Sequence, residues 1–508
     1  MSLHAVIWLE PNCFVKATHA SKILYKLYVK LLLVTVTMSV AAGRRFSLAL
    51  TDVGDLYAFG LNDVGQLVQH TDTVNDERQH VMPLLVDRRH FLADQQVEMV
   101  STGSEHAACV TTDGLVYTWG CTDYGQMGIG DEENDSADEP YVSHCLSTAC
   151  FGNCRARMVA CGENFTVVLT VQGLVWTCGF GGNGQLGRGT IDLQANIDNC
   201  SRVLRQIDTA SFHHIPVDFI AAGGNHAMAL EEGTGVLWAW GGNMSGELGL
   251  GDDFHGVEVV DVPTRVPIAP VVFMSAGYDF SMAITTGNVL WSCGEGFGGQ
   301  LGLSPQLVVA NYNTFMRVGG VEKFGIGGVR MVSCGFESSL IVTCSDRVWT
   351  CGSHVRFDNT GINVQDGAHL YTPRRFGADY FGRSRIVVAS DGRKHHMVVT
   401  DAGRMYTWGR DTSEGEATGL GYNTNGTSRW RPSELMNSHY FASNRVGRWH
   451  RVSAVRAQSF AMATHPRLGD GSPAQDFPQG PMQDMMSTMG PHAHRGALGR
   501  LLGRKTRR

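Results

Sequence analysis

Residues 101–130 read STGSEHAACVTTDGLVYTWGCTDYGQMGIG, and this stretch predicts the fold of the chain. It approaches Gly103 through small residues, continues as an apolar run to Thr111, turns at Gly114 and ends a second apolar run at Trp119. Short runs rich in Val, Leu, Thr and aromatic residues are typical of β-strands. A glycine-bearing turn between two such runs predicts a β-hairpin.

The same pattern recurs along most of the 508 residues. Each copy opens on a glycine that follows small residues, and these anchor glycines are Gly43, Gly103, Gly162, Gly223, Gly277, Gly335 and Gly392. A nearly fixed period of this length, about 54 to 61 residues, accommodates four short strands with their turns. Repeats of this kind stack to bury a common core, and four-stranded units arranged radially form a propeller. We therefore predict an all-β fold, a seven-bladed β-propeller of four-stranded antiparallel blades.

The repeat series ends in a worn eighth copy at residues 452–464, in which Val455 replaces the anchor glycine. The first half of the repeat thus occurs eight times and the second half seven times, which leaves open which terminal copy completes the ring. We expect a non-repeat extension at residues 1–34, the propeller at 35–464 and a disordered basic tail at 465–508. The tail composition, rich in Gly, Pro, Met and His, shows no periodicity.

These repeats resemble the regulator of chromosome condensation family. The shared features are the small-small-Gly anchor, a His three positions later, the Trp-Gly pair and the Gly-Gln-Leu-Gly close seen at residues 184–187. One such motif carries little information, whereas seven phased copies over about residues 38–464 are specific. WD repeats do not fit because Trp is never followed by Asp here, and kelch repeats lack the Gly-Gln-Leu-Gly close.

The resemblance implies a ring that binds another protein. In this family the residues after each anchor glycine line one face, and in the founding member that face engages a Ran-type small GTPase and releases its nucleotide. The corresponding candidates in this chain are Glu105, His106, Glu163, Asn164, Asn225, His226, Asp279, Glu337, Lys394, His395 and His396. The implied function is regulation of, or guanine nucleotide exchange on, a Ran-type GTPase, with a non-exchanging interaction scaffold as the alternative.

Several positions depart from the founding member. Asn225 stands where that protein carries Asp, and Ser338 and Gln458 stand where it carries His. The loop at residues 180–183 has no inserted wedge, and the Gly-Trp-Arg-His-Thr loop of the plant ultraviolet receptor is absent from the sequence. These differences argue against nucleotide exchange and against photoreception.

The sequence contains no motif for covalent catalysis. Gly-x-Ser-x-Gly, His-Glu-x-x-His and the Walker loop are all missing, so we expect no enzyme and no cofactor. His144, Cys145, Cys150 and Cys154 share one outer loop, but their spacing is unlike a zinc knuckle. We expect free thiols and no metal there. Cysteines at repeat positions are expected to be small apolar core residues, namely Cys161, Cys178, Cys293, Cys334 and Cys351.

Charge gives the remaining expectations. A net charge of −7 with 18% charged residues does not indicate a general polyanion binder. The tail nevertheless ends in Arg500, Arg504, Lys505, Arg507 and Arg508, a pattern of nuclear-targeting or nucleic-acid segments, so chromatin or RNA association is a further alternative. We expect a monomer in the nucleus or cytoplasm, with mitochondrial import left open by the lysine-rich start of the chain. The uncharged run at residues 31–43 is shorter than the roughly twenty residues that cross a bilayer, so no membrane association is expected.

Overall fold

The computed structural model describes residues 39–51, 54–68, 79–130, 142–189, 199–304, 311–353, 362, 369–377, 380–382, 384–409 and 429–435. All of them belong to one compact unit, Met1–Pro466. The second unit, Arg467–Arg508, lies outside the described residues, as do the predicted extension and the worn eighth copy.

Seven four-stranded antiparallel sheets make up the described part of the chain, which confirms the predicted seven-bladed propeller. Blade 1 comprises β1 Ser39–Ala42, β2 Phe46–Leu50, β3 Leu56–Leu61 and β4 Gln79–Leu85, and blade 2 comprises β5 Val97–Thr102, β6 His106–Thr111, β7 Val116–Gly120 and β8 His144–Leu146. Blade 3 comprises β9 Ala156–Cys161, β10 Phe165–Thr170, β11 Val175–Phe180 and β12 Cys200–Gln206, and blade 4 comprises β13 Val217–Ala222, β14 His226–Glu231, β15 Leu237–Gly242 and β16 Val259–Arg265.

Blade 5 comprises β17 Val271–Ala276, β18 Phe280–Thr285, β19 Val289–Gly294 and β20 Tyr312–Gly319. Blade 6 comprises β21 Val329–Cys334, β22 Ser338–Thr343, β23 Val348–Gly352 and β24 Leu370–Arg375, and blade 7 comprises β25 Ile386–Asp391, β26 His395–Thr400, β27 Met405–Gly409 and β28 Arg429–Glu434. The helices in the described residues are single turns: α1 Arg88–Phe91, α2 Val321–Phe324 and the 3₁₀ turns Thr148–Phe151, Thr209–Phe212 and Asp252–Phe254. None of the described helices is long and apolar enough to cross a membrane.

Burial within a blade follows its position between neighbouring blades. The second strands are buried on both faces, as in β2 and β18, because each lies inside a blade packed on both sides. The first strands instead alternate near their ends: in β17, Phe273 and Ser275 are partly exposed while Met274 is buried. This period of two places every second residue of a first strand toward the axis of the ring.

The first strands β1, β5, β9, β13, β17, β21 and β25 contact one another in that order, and β25 contacts β1 to close the ring. In blades 2 to 7, the backbone N–H of the residue after the anchor glycine donates a hydrogen bond to a neighbouring blade. Ser104 donates its N–H to the Glu163 carbonyl oxygen at 3.1 Å, and Arg393 donates to the Gly43 carbonyl oxygen at 3.3 Å across the closing seam.

Each sheet consists of four consecutive strands, so no described blade combines the two ends of the chain. The first terminal copy supplies β1 and β2 of blade 1. Closure between blades 7 and 1 therefore depends on side-by-side packing and on contacts such as the Ala42 N–H donating to Ser390 Oγ at 3.1 Å. This answers the question that the eightfold repeat count left open.

The anchor glycines are required by close approach. A Cβ on Gly103 would lie 2.3 Å from the His106 ring, and one on Gly162 would lie 1.9 Å from the Phe165 ring. No real Cβ tolerates such distances, so a side-chain ring three positions later fixes glycine here. The cysteines predicted to be core residues, Cys161, Cys178, Cys293, Cys334 and Cys351, are all buried, which confirms that prediction.

Candidate protein-binding face

One end of the ring carries the loops that follow the anchor glycines. In each blade the first strand ends there, the second strand leaves, and the third strand returns, so the turn after the third strand lies beside the anchor loop. The contact is direct: Cys121 donates its N–H to the Glu105 carbonyl at 2.9 Å, and Glu295 donates to the Asp279 carbonyl at 2.8 Å. We call this end the anchor face.

The candidate polar residues lie on this face with different degrees of exposure. Five of them stand in the second position after an anchor glycine and are partly exposed: Glu105, Asn164, Asn225, Asp279 and Lys394. Glu163, one position after its anchor, is also partly exposed. Glu337 is only 8% exposed, so a partner can reach little of it.

The four candidate histidines are not available to a partner, because His106, His226, His395 and His396 are all buried. The reason is the ring itself: each blade packs over the second strand of its neighbour. His106 Nε2 lies 2.9 Å from Thr166 Oγ1 of the next blade, and His226 Nε2 lies 2.8 Å from Ser281 Oγ. Burial lowers the pKa of His106 to about 4 and that of His226 to about 3, so both are neutral joints between blades.

His395 makes the same joint across the closing seam, with Nε2 2.6 Å from Ser47 Oγ. His396 faces the other way and places Nδ1 2.7 Å from Asp391 Oδ1, a carboxylate that also accepts a hydrogen bond from Ser338 Oγ at 3.0 Å. All four histidines are thus corrected from candidate contacts to structural residues.

Four side chains join across the centre of the anchor face, and we call them the mouth bridge: Glu163, Tyr278, Phe336 and Arg393. Tyr278 Oη donates to Glu163 Oε2 at 2.8 Å. The Tyr278 and Phe336 ring centroids are 4.2 Å apart, and the Arg393 guanidinium lies 4.5 Å from the Phe336 centroid. Burial and the Glu163 carboxylate raise the pKa of Tyr278, so it remains a hydrogen-bond donor.

A glycine in blade 4 allows this bridge. Gly224 occupies the position that holds Glu163, Tyr278 and Phe336 in other blades, and a Cβ on it would lie 2.6 Å from the Tyr278 carbonyl oxygen. The Tyr278 side chain crosses this gap to reach Glu163 two blades away. The bridge covers the axis of the ring with paired aromatic, acidic and basic groups.

Beside the bridge, blades 4 and 5 hold a cluster of carboxylates, Asp279, Glu295 and Glu247. Burial, with Glu295 and Glu163 adding repulsion, raises the pKa of Asp279 to about 6. Burial also raises the pKa of Glu247 to about 7, with Asp279 and Glu295 as further causes. Carboxylates placed close together in a partly dry setting resist ionisation, and such groups are frequent at functional sites.

The sequence, independently of this geometry, shows the protein family. The RCC1-like domain matches residues 25–354, more than half of the chain. This chain belongs to the RCC1-like domain family. It is 30% identical over 327 residues to the ultraviolet-B receptor UVR8 of Arabidopsis thaliana, and 26% identical over 375 residues to the regulator of chromosome condensation of Drosophila melanogaster. These alignments cover 64% and 72% of this chain but 66% and 63% of the relatives, less than two thirds of either.

Two solved structures share the fold. Yeast RCC1 (Prp20) bound to Kap60 superposes with a TM-score of 0.63 at 18% identity, covering 86% of this chain and 92% of that one. Human WBSCR16 superposes with a TM-score of 0.60 at 22% identity, covering 72% and 87%. At these identities the likeness establishes the fold and leaves the partner to be decided from the surface.

Sequence reasoning missed several residues of this RCC1-like anchor face. Arg393 stands directly after an anchor glycine, and its convergence with Phe336 over the axis depends on the diameter of the closed ring. Glu247 could have been noticed, because it replaces the glutamine of the Gly-Gln-Leu-Gly close found as Gln126, Gln185 and Gln300. A charged residue in a repeat position that is otherwise neutral is the signal.

The remaining predicted features lie elsewhere. Arg500, Arg504, Lys505, Arg507 and Arg508 are outside the described residues. Cys145 and Cys150 are exposed free thiols, and Cys154 is a partly exposed one. Across the described ranges, no group of three or more His, Cys, Asp or Glu side chains is arranged to hold a metal ion.

Proposed function

We propose that this RCC1-like propeller binds a protein partner through its anchor face, and that the partner offers basic and apolar side chains to blades 4 and 5. The observation that carries the proposal is the pair of partly exposed carboxylates Asp279 and Glu295, with the buried Glu247 beside them. Glu295 adds to the raised pKa of both Asp279 and Glu247. Groups that oppose stability at neutral pH are retained where binding uses them.

Exposed apolar side chains flank this cluster. Met244 is 75% exposed and Phe297 is 54% exposed, and they lie in the turns that contain Glu247 and precede Gln300. An apolar contact surrounded by charge is the usual composition of a protein interface. A basic partner segment would neutralise the cluster while its apolar residues contact Met244 and Phe297.

We further propose a small GTPase of the Ran type as the first partner to test. The yeast relative Prp20p is described by its binding to Gsp1p and histones, and its ring is similar to this one with a TM-score of 0.62 at 19% identity. Release of labelled GDP from purified Ran-type GTPases, with the full chain added in catalytic amounts, tests exchange. Acceleration supports an exchange factor. Binding without acceleration supports a non-exchanging scaffold, which Asn225 and Ser338 favour.

The binding face is tested by neutralising two of the clustered charges. In the Asp279→Asn, Glu295→Gln double variant we expect capture of the partner to weaken by about tenfold or more, because two attractive charges are lost. The amide that replaces the Glu295 carboxylate retains an oxygen for the bond that Gln300 Nε2 donates to it at 3.2 Å. The free energy of unfolding should stay equal or rise, since the removed charges repel each other. Capture and thermal unfolding are measured side by side.

A matched control neutralises two exposed carboxylates at the opposite end of the ring, Asp113→Asn and Glu232→Gln. Both residues lie in turns between second and third strands, away from the anchor face. We expect this control to capture the partner normally. If both double variants lose capture equally, the effect is one of overall charge and the anchor face is not the site.

A further inference from the structure

A cavity of about 540 Å³ lies along the axis of the ring, and the mouth bridge covers its anchor-face end. Its wall is made by the seven first strands, in which every second residue faces the axis. The wall residue two positions before each anchor glycine is small: it is alanine in three blades and serine in four. Two residues further from the mouth, the wall carries a bulky Met or Phe in each of blades 2 to 6. We call the space inside these layers the central chamber.

The bulky layer is apolar and aromatic. It includes Met99, Phe219, Phe273 and Met331. The Phe219 and Phe273 ring centroids are 5.6 Å apart, and both side chains are partly exposed although they lie inside the ring. Apolar surface that faces a cavity of this size is stabilised by an apolar occupant, because the occupant replaces water there.

The small layer supplies polar groups at one level. Ser101, Ser275, Ser333 and Ser390 each accept a backbone N–H from the next blade at 2.9 to 3.1 Å. A serine whose oxygen accepts still has its hydroxyl hydrogen to donate. These bonds also hold each serine in place. The layer therefore offers serine hydroxyls to a hydrogen-bond acceptor in the chamber, and those of Ser101 and Ser275 also contact the thiols of Cys161 and Cys334.

Charge at the wall is compensated within the protein. Arg157 lines the chamber, and its Nη1 lies 2.9 Å from Asp218 Oδ1. Asp391, which also lines it, bonds to His396 and Ser338. An ionic ligand would have to compete with these pairs, so the wall favours a neutral one.

We propose that the central chamber binds a small, neutral, aromatic molecule that carries a hydrogen-bond acceptor such as a ketone. Its ring packs against Phe219 and Phe273, and its acceptor reaches the serine layer. The chamber volume falls within the range of about 300 to 1,000 Å³ that is usual for small-molecule sites. This site is separate from the carboxylate cluster and does not depend on the proposed partner.

The probe for the test is prodan, a neutral naphthalene ketone whose emission shifts to the blue in apolar surroundings. Titrated into the full chain, it should bind saturably with one-to-one stoichiometry and a blue-shifted emission. Ala221→Phe fills the small layer in blade 4, where no serine bond is lost, and should weaken binding by about tenfold or more because the chamber loses volume. Ala210→Phe makes the same change at an exposed outer turn and should bind as the unmodified protein does.

Circular dichroism and thermal unfolding establish that both variants are folded. If Ala221→Phe does not fold, Phe219→Ala serves instead, since it removes one aromatic wall and should also weaken binding. Absence of saturable binding overturns the proposal. So does binding that Ala221→Phe leaves unchanged, because prodan would then occupy an exterior apolar patch such as Met244 or Phe297.

Discussion

Single residues on the anchor face are defined by how they differ from the same position in other blades. Gln126 and Gln185 close their turns with a side-chain oxygen that accepts the N–H two residues earlier, each at 2.9 Å. Glu247 makes the equivalent bond from Ser245 at 2.8 Å but adds a buried charge, being 3% exposed. The bond needs only an oxygen, so the charge itself has no structural use there.

Replacing this carboxylate with the amide of the other blades should stabilise the protein. The pKa of Glu247 is raised to about 7, so the folded state binds its proton more tightly than the unfolded state, and stability from this group is lost as pH rises from about 4.5 to 7. Glu247→Gln should therefore raise the free energy of unfolding by about 1–3 kcal/mol at pH 8 and by little at pH 5.

Denaturant unfolding of both proteins at pH 5, 6, 7 and 8 measures this difference. Comparing the variant with the unmodified protein at each pH cancels the opposite contribution of His106 and His226, whose lowered pKa values remove stability on acidification. A difference that is constant across the series would contradict the assignment.

Gly224 is a second residue-scale feature with a measurable role. Gly224→Ala places a Cβ 2.6 Å from the Tyr278 carbonyl oxygen and 3.0 Å from its ring, so we expect a loss of about 1–3 kcal/mol and displacement of Tyr278 from Glu163. Gly377→Ala is the control, because its Cβ would approach no atom closer than 3.5 Å. Thermal unfolding of the two variants measures this difference. Equal midpoints would mean that the mouth bridge accommodates the added Cβ at no cost in stability.

At the scale of elements, three seams between blades follow one rule, three others carry Phe46, Phe165 or Phe280 at the histidine position, and one seam reverses the order. A histidine three residues after an anchor usually reaches a Ser or Thr of the next blade, as His226 reaches Ser281. Between blades 6 and 7 the order is reversed: Ser338 stands at the histidine position and His396 at the serine position, with Asp391 bonded to both. Asp391 Oδ1 fills the space over Gly335 that a ring occupies elsewhere.

This exchange predicts a rescue. Asp391→Ala leaves His396 and Ser338 buried without their shared partner and should cost about 2–4 kcal/mol of stability. The triple variant Ser338→His, Asp391→Ala, His396→Ser gives this seam the residues found at His226, Ala276 and Ser281, and should recover most of the loss. Denaturant midpoints compare the three proteins, and a triple variant no more stable than Asp391→Ala would show that the seam does not follow the rule.

At the scale of the whole molecule, the ring is closed without a sheet shared by its ends. Blade 7 meets blade 1 through Ser390 and His395, which contact Ala42 and Ser47. Blade 2 meets blade 3 through the same residue types, Ser101 and His106, which contact Cys161 and Thr166. The second seam is also held by the continuing chain, so its separated blades remain at high effective concentration.

Equivalent substitutions at these two seams can be compared directly. Ser390→Ala with His395→Ala should open the ring more readily than Ser101→Ala with His106→Ala, although each variant loses the same groups. We expect hydrogen exchange in β1 and β25 of the first variant to accelerate by about tenfold or more relative to β5 and β9 of the second. Equal acceleration in the two variants would show that closure does not depend on the packing between blades 7 and 1.

The sequence by itself determined the propeller, its seven blades and the buried role of the repeat cysteines. It could do so because hairpins are local, and because a repeat that recurs seven times reports the same four strands each time. Together with the family resemblance, it also placed Glu163, Asp279 and the other partly exposed loop residues on one face, because each lies one or two positions after an anchor glycine.

Only the tertiary structure decided which of those residues a partner can reach. His106, His226 and His395 contact the adjacent blade, and this contact depends on how closely neighbouring blades pack. The mouth bridge joins Glu163 to Tyr278, which are 115 residues apart, and a separate bond joins Ser338 to Asp391 across the seam between blades 6 and 7. Such pairs are fixed by the diameter and closure of the ring, and these are properties of all seven blades packed together.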